Sequence, residues 1–160
     1  MKKILEYEKL EDYLSEIRKK GKIVLVGGCF DIVHPGHIAF FENAKREGDI
    51  LIVIVESDRA VRKIKGVQRP INNQNDRART ISALHTVDFV IPLPFFESDE
   101  NYFRLVKTIK PDIIAVTGGD PLLEAKIRQA ESVGGKVVEV IKRLPDYSTT
   151  LIAEKIKNTL

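Results

Sequence analysis

Histidine occurs three times in this chain of 160 residues, and two of the three fall together in Gly27-Gly28-Cys29-Phe30-Asp31-Ile32-Val33-His34-Pro35-Gly36-His37. Pro35 suits the first position of a helix, where its missing N–H costs nothing. At i and i+3, His34 and His37 lie near each other on one face. The free amides and positive dipole end of a helix start already favour an anion. Two imidazoles added to them can donate several hydrogen bonds to one phosphoryl group. Gly27 and Gly28 allow a tight turn or close backbone approach by a ligand, and Gly36 removes a side chain from the first helical turn. Other chemistry is open to the same residues. A zinc site would join the histidines to Asp31 or Cys29, although the spacing matches no structural zinc pattern. Cys29 beside a histidine would be a nucleophile, although its apolar setting after a strand reads as packing. Two satisfied histidines on an ordinary helix would leave the glycines and Pro-Gly unexplained. The GxGxxG spacing of dinucleotide sites is absent.

Three further places carry unusual residues. In the basic stretch from Ser57-Asp58 to Arg77, a solvated helix face accounts for Arg59, Arg62 and Lys63. Lys65, Arg69 and Arg77 instead flank Gly66 and Pro70 in a connector that a simple crossover does not need. Thr117-Gly118-Gly119-Asp120-Pro121 reads either as a plain helix cap with a flexible approach or as a ligand loop. Tyr147-Ser148-Thr149-Thr150 precedes Leu151-Ile152-Ala153, so Ser148 is an expected N-cap. A cap needs one hydroxyl, and three in a row exceed that need. At a second helix start they can cradle outer phosphates with the backbone amides. Arg143 lies five residues ahead of Ser148.

The elements that must hold these residues follow from apolar periodicity. Short continuous apolar runs at Ile23–Val26, Ile50–Val55, Phe89–Ile91, Ile113–Val116 and Val137–Ile141 read as strands buried on both faces. Helical spacing predicts a leader helix within residues 1–21, ending at Gly21. Further helices are predicted near Pro35–Glu47, Asp58–Ile64, Asn75–Leu84, Asp99–Ile109, Leu122–Val133 and Thr149–Lys157. Strands alternating with helices imply right-handed βαβ units and a doubly wound α/β sheet of about five parallel strands, in a single domain over 1–160. Ligands of such a sheet sit beyond the carboxyl ends of the strands, where strand order reverses, and the unusual segments follow strands. With Cys29 the only cysteine, no internal disulfide can form. That usage, and an N-terminus that meets acidic residues at once, predict a cytoplasmic protein without a secretory signal. A net charge of +3 with aromatics at 7% suits an anionic small molecule and argues against nucleic acid. No run approaches a membrane span.

Gly28-Cys29-Phe30-Asp31 followed by His34-Pro35-Gly36-His37 resembles the signature of the cytidylyltransferase-like nucleotidyltransferase superfamily, whose HxGH motif binds a triphosphate. The resemblance implies a Rossmann-like fold and residue roles to match. His34 and His37 would contact the phosphates and the transition state, with Gly36 between them. Gly28, Cys29 and Phe30 would line the nucleotide site, and Asp31 the site beside nucleotide and acceptor. Lys65 would neutralise charge between acceptor and donor phosphates, while Arg69 and Arg77 would hold the acceptor or stabilise the fold nearby. Gly118 and Asp120 would approach base and ribose. Tyr147, Ser148, Thr149 and Thr150 are similar to the superfamily's second phosphate motif, with Arg143 on the outer phosphates. Within the superfamily the chain is most similar to adenylyltransferases that join heptose 1-phosphate to ATP, then to glycerol-3-phosphate cytidylyltransferases. The implied partners are a nucleoside triphosphate with Mg²⁺ and a small phosphorylated acceptor. Many such folds pair as homodimers. A nucleotide-binding regulatory domain without turnover is the rival of another class.

Overall fold

The first four strand runs are apolar on consecutive residues because those strands are covered on both faces, whereas the Val137–Ile141 run, expected to be buried likewise, has no fully buried residue. In the computed structural model, which describes residues 2–159, alternate side chains enter two separate cores. Ile23 and Leu25 of β1 (Ile23–Gly28) and Ile50, Ile52 and Ile54 of β2 (Ile50–Val55) face one core. Val24 and Val26, and Leu51, Val53 and Val55, face the other. The same division continues in β3 (Phe89–Pro92) and β4 (Ile113–Thr117). β5 (Lys136–Ile141) closes the sheet as a half-exposed edge. All pairings are parallel, in the order β3-β2-β1-β4-β5.

Helices cover both faces. The first core is closed by α1 (Leu10–Arg18), α5 (Asp99–Ile109) and α6 (Leu123–Glu131), the second by α2 (Pro35–Arg46) and α4 (Gln74–Ser82). Two more, α3 (Asp58–Lys65) and α7 (Thr149–Thr159), follow β2 and β5. The starts of α3 and α4 are written in the sequence: Ser57 accepts from the Ala60 amide at 3.2 Å and Asn73 from the Asp76 amide at 3.1 Å. The predicted strands and helices are all present, with ends shifted by a residue or two. The leader differs more. It begins with a 3₁₀ turn, Tyr7–Lys9, before α1, and Gly21 lies beyond the helix at φ +129°. Ahead of that turn, the Leu5 amide donates to the Val90 carbonyl and the Val90 amide to Lys3, so this short segment shields the edge of β3. Two apolar residues are too few to announce a strand.

Strand order reverses between β1 and β4. There only Val24 with Ile113 and Leu25 with Ile114 pair, while β1 and β2 pair along their whole length. The carboxyl halves of β1 and β4 therefore separate and open a crevice, as expected at a switch point. Among the described residues no helix is long and apolar enough to cross a membrane.

Candidate active site

A cleft of about 590 Å³ lies over that crevice, a size suited to one small molecule. His34 is the N-cap of α2 in an extended conformation, and Pro35 opens the helix. The rings of His34 and His37 stack with centroids 3.8 Å apart and 22° between their planes. Phe30 meets His37 edge-on at 5.2 Å and leans on Phe41 at 5.1 Å. Tyr147 stacks on His34 at 6.2 Å. Phe30 adopts φ +47°, a left-handed conformation that is costly for a bulky side chain and typical of functional loops. Its ring folds back over Gly28, where a Cβ would lie 2.8 Å from the ring tip. A Cβ on Gly36 would lie 3.0 Å from the His34 ring and 3.1 Å from the Tyr147 Cβ. The glycines are thus the space into which the rings pack.

Burial lowers the pKa of both histidines, and His37, with His34 beside it, falls to about 4. Both are neutral at neutral pH, and each carries one N–H. The Nδ1 atoms of both are buried without a hydrogen-bond partner among the described residues. Buried polar atoms are nearly always satisfied, so this pair points to a ligand that completes it.

The start of α7 faces the same cleft. Ser148 Oγ accepts from the Leu151 amide at 3.1 Å, the cap expected of it. Thr149 donates its hydroxyl to the Ile32 carbonyl at 3.4 Å, which ties this helix start to the loop entering α2. Thr150 and Arg143 are exposed on the cleft wall. The opposite wall is the exit of β4. There Gly119 has φ +75°, and a Cβ on Gly118 would meet the Glu139 carboxylate at 2.6 Å. Asp120 lines the cleft but is engaged, accepting from the Leu122 amide at 2.8 Å and pairing with Lys126 at 2.6 Å.

On the third side, Lys65 ends α3 and reaches the cleft. Asp31 is 3% exposed and accepts from the Ile71 and Asn72 amides at 2.9 Å and from Arg69 Nε at 2.5 Å. Burial pushes its carboxyl up, but those bonds prevail and hold it below the usual aspartate range. Asp31 therefore anchors the segment that carries Arg69, and both line the cleft. Arg77 does not. Its guanidinium is buried and donates to the carbonyls of Cys29, Glu56 and Asn72 and to Asp58. It braces the ends of β1 and β2, the fold-stabilising alternative that the sequence left open for it. Lys126 was not legible as a site residue, because nothing distinguishes it from other lysines on an exposed helix.

Among the described residues, no three His, Cys, Asp or Glu side chains converge to hold a metal, and Asp31 is committed to its loop. Burial, then the charge of Glu56, pushes the Cys29 thiol up, away from a reactive thiolate.

The profile of the cytidylyltransferase-like family matches residues 25–156. The bifunctional protein HldE of a Nitratiruptor species is 41% identical over 160 residues, covering 97% of this chain and 32% of that protein. HldE of Haemophilus influenzae (strain PittEE) is 40% identical over 157 residues, covering 96% of this chain and 32% of that protein. The chain thus spans about a third of the length of these curated relatives. A lipopolysaccharide core biosynthesis protein from Thermoplasma volcanium GSS1 superposes with a TM-score of 0.62 at 31% identity, over 80% of this chain and 99% of that one. Pantoate-beta-alanine ligase from Francisella tularensis shares the fold, with a TM-score of 0.60 at 16% identity over 96% of this chain and 76% of its own. The matched span runs from the first strand through both helix starts that face the cleft, and the chain belongs to the cytidylyltransferase-like family of nucleotidyltransferases.

Proposed function

We propose that this chain transfers AMP from ATP to a phosphorylated sugar of the heptose 1-phosphate class and releases pyrophosphate. The observation that carries the reading is the stacked His34–His37 pair, with its two unpartnered Nδ1 atoms, facing the same cleft as the start of α7. The choice of ATP and of a heptose phosphate rests on the sequence resemblance.

In this reading an acceptor phosphate oxygen attacks the α-phosphorus in line, the bond from that phosphorus to the bridging oxygen breaks, and pyrophosphate leaves with the electron pair. No covalent intermediate is required. All reactants are anionic, so the protein contributes positioning and donors where charge develops. His34, His37 and the α2 amides hold the phosphates from one side, and Ser148, Thr149 and Thr150 from the other, with Arg143 outside. Lys65 stands between acceptor and donor phosphates, and Arg69 beside it. The exit loop at Gly118 and Asp120 receives base and ribose. An ion such as Mg²⁺ would be held mainly by the substrate phosphates. When bound, that ion neutralises charge on the departing pyrophosphate.

Pyrophosphate release is measured with ATP or CTP, Mg²⁺, and heptose 1-phosphate or glycerol 3-phosphate. Turnover with ATP and heptose 1-phosphate is expected. Turnover only with CTP and glycerol 3-phosphate would reassign the substrates, and nucleotide binding with silence across the panel would favour a non-catalytic domain.

A further inference from the structure

His34 is a poor residue for its place in the helix. It is the N-cap of α2, yet its side chain makes no capping hydrogen bond, the task that Ser, Thr, Asp or Asn performs best. The ring is buried and its Nδ1 is unpartnered among the described residues, so no hydrogen bond at that atom fixes how the imidazole is turned. Packing has to fix it. The inner face of the ring lies on His37, stacked at 3.8 Å. His37 is met edge-on by Phe30 at 5.2 Å, and Phe30 leans at 5.1 Å on the fully buried Phe41. That side of His34 is rooted in the core.

The outer face is covered by Tyr147. Its ring lies 6.2 Å from that of His34 with 18° between their planes, within the range of offset stacking. Tyr147 is 44% exposed, so its cover can be removed without opening the core. Two features bring it there from the far end of the chain. Gly36 lacks the Cβ that would lie 3.0 Å from the His34 ring and 3.1 Å from the Tyr147 Cβ. Two residues further on, the Thr149 hydroxyl donates to the Ile32 carbonyl at 3.4 Å and ties the start of α7 to the loop ahead of α2. Tyr147 and His34 both line the cleft, and the hydroxyl residues Ser148, Thr149 and Thr150 follow Tyr147 directly.

We infer that Tyr147 is a positioning residue: by stacking on His34 it fixes the orientation of the imidazole, and it makes that orientation depend on the start of α7. This rests on the proposed nucleotidyl transfer and adds how the two helix starts that hold the phosphates are kept in register. A donor is preorganised only while its direction is held, and a misplacement of about 1 Å can cost about 10²-fold in rate. Tyr147 acts through His34, with the face of its ring and not its hydroxyl. It needs no contact of its own with the nucleotide.

The test compares wild type, Tyr147→Phe and Tyr147→Ala by NMR of the imidazoles in the nucleotide-free protein and by kinetics of pyrophosphate release with ATP and heptose 1-phosphate. Thermal melting shows that each variant folds. Tyr147→Ala is expected to shift the His34 resonances, while those of His85, exposed and outside the cleft, stay in place. It should also lower kcat by about tenfold and leave KM for the acceptor unchanged. Tyr147→Phe keeps the ring and should stay within about twofold of wild type, with the His34 resonances unmoved. Unmoved His34 resonances in Tyr147→Ala would overturn the inference. Joined to a lower ATP affinity, they would make Tyr147 a direct ligand contact instead. Tyr147→Phe as damaged as Tyr147→Ala would also overturn it, since the hydroxyl and not the ring would then matter. A wild-type protein without turnover would overturn the reaction, and the imidazole spectra would still decide whether Tyr147 holds His34.

Discussion

Neither imidazole of the stacked pair is charged at neutral pH in the free protein, since burial has drawn both pKa values down and that of His37 to about 4. In the proposed reaction His37 donates to a phosphate as a neutral group, and losing one such preorganised donor costs about 10²–10³ in turnover. His37→Ala is expected to show that loss in pyrophosphate release, and a drop under about threefold would remove His37 from the reaction. The same shift has a consequence for stability. A histidine whose folded pKa lies below its unfolded value binds fewer protons when folded, so stability falls as pH drops from about 6.5 toward 4. Replacing His37 by Gln should flatten that dependence. Urea midpoints at pH 5 and pH 7 check it: the gap between them should be narrower in the variant than in wild type. The two histidines and the three hydroxyls were readable in the sequence because rare residue types clustered where helices start. The orphaned Nδ1 atoms and the ring stack were not, because they depend on how far the Phe30 ring folds back.

At the level of elements, the site depends on helix starts meeting across a long stretch of chain. Ser148 both caps α7 and faces the cleft. Ser148→Ala should therefore lower stability by about 1 kcal/mol and also weaken ATP binding. Denaturation and calorimetry on the same sample separate the two effects, and lost stability with intact affinity would reduce Ser148 to a cap. Gly36 marks the other helix start. A methyl there must displace either the His34 ring or Tyr147, so Gly36→Ala should cut turnover more than it lowers the melting temperature. Helix and strand identities were legible because apolar runs of three to six residues alternate with 3.6-period stretches. The Lys3–Leu5 edge bridge was hidden, since its only signal is a backbone pairing with β3.

Across the whole molecule, one buried guanidinium joins pieces far apart in sequence. Arg77 links the loop after β1, the residue after β2, the start of α3 and the approach to α4. Arg77→Ala leaves several carbonyls without donors in the interior and should cost about 3 kcal/mol or more. A urea midpoint indistinguishable from wild type would contradict that role. The family resemblance left Arg77 as an acceptor contact or a brace of the fold, because a buried arginine and a solvent-facing one look alike until topology is known. The switch point itself was foreseeable from alternating βα units, and it is what brings residues from 28 to 150 to one cleft. The most direct measurement is a crystal structure of the protein with a non-hydrolysable ATP analogue. Phosphate oxygens are expected within hydrogen-bonding distance of His34 or His37 and also of the Ser148–Thr150 segment. A triphosphate seated away from either helix start would contradict it.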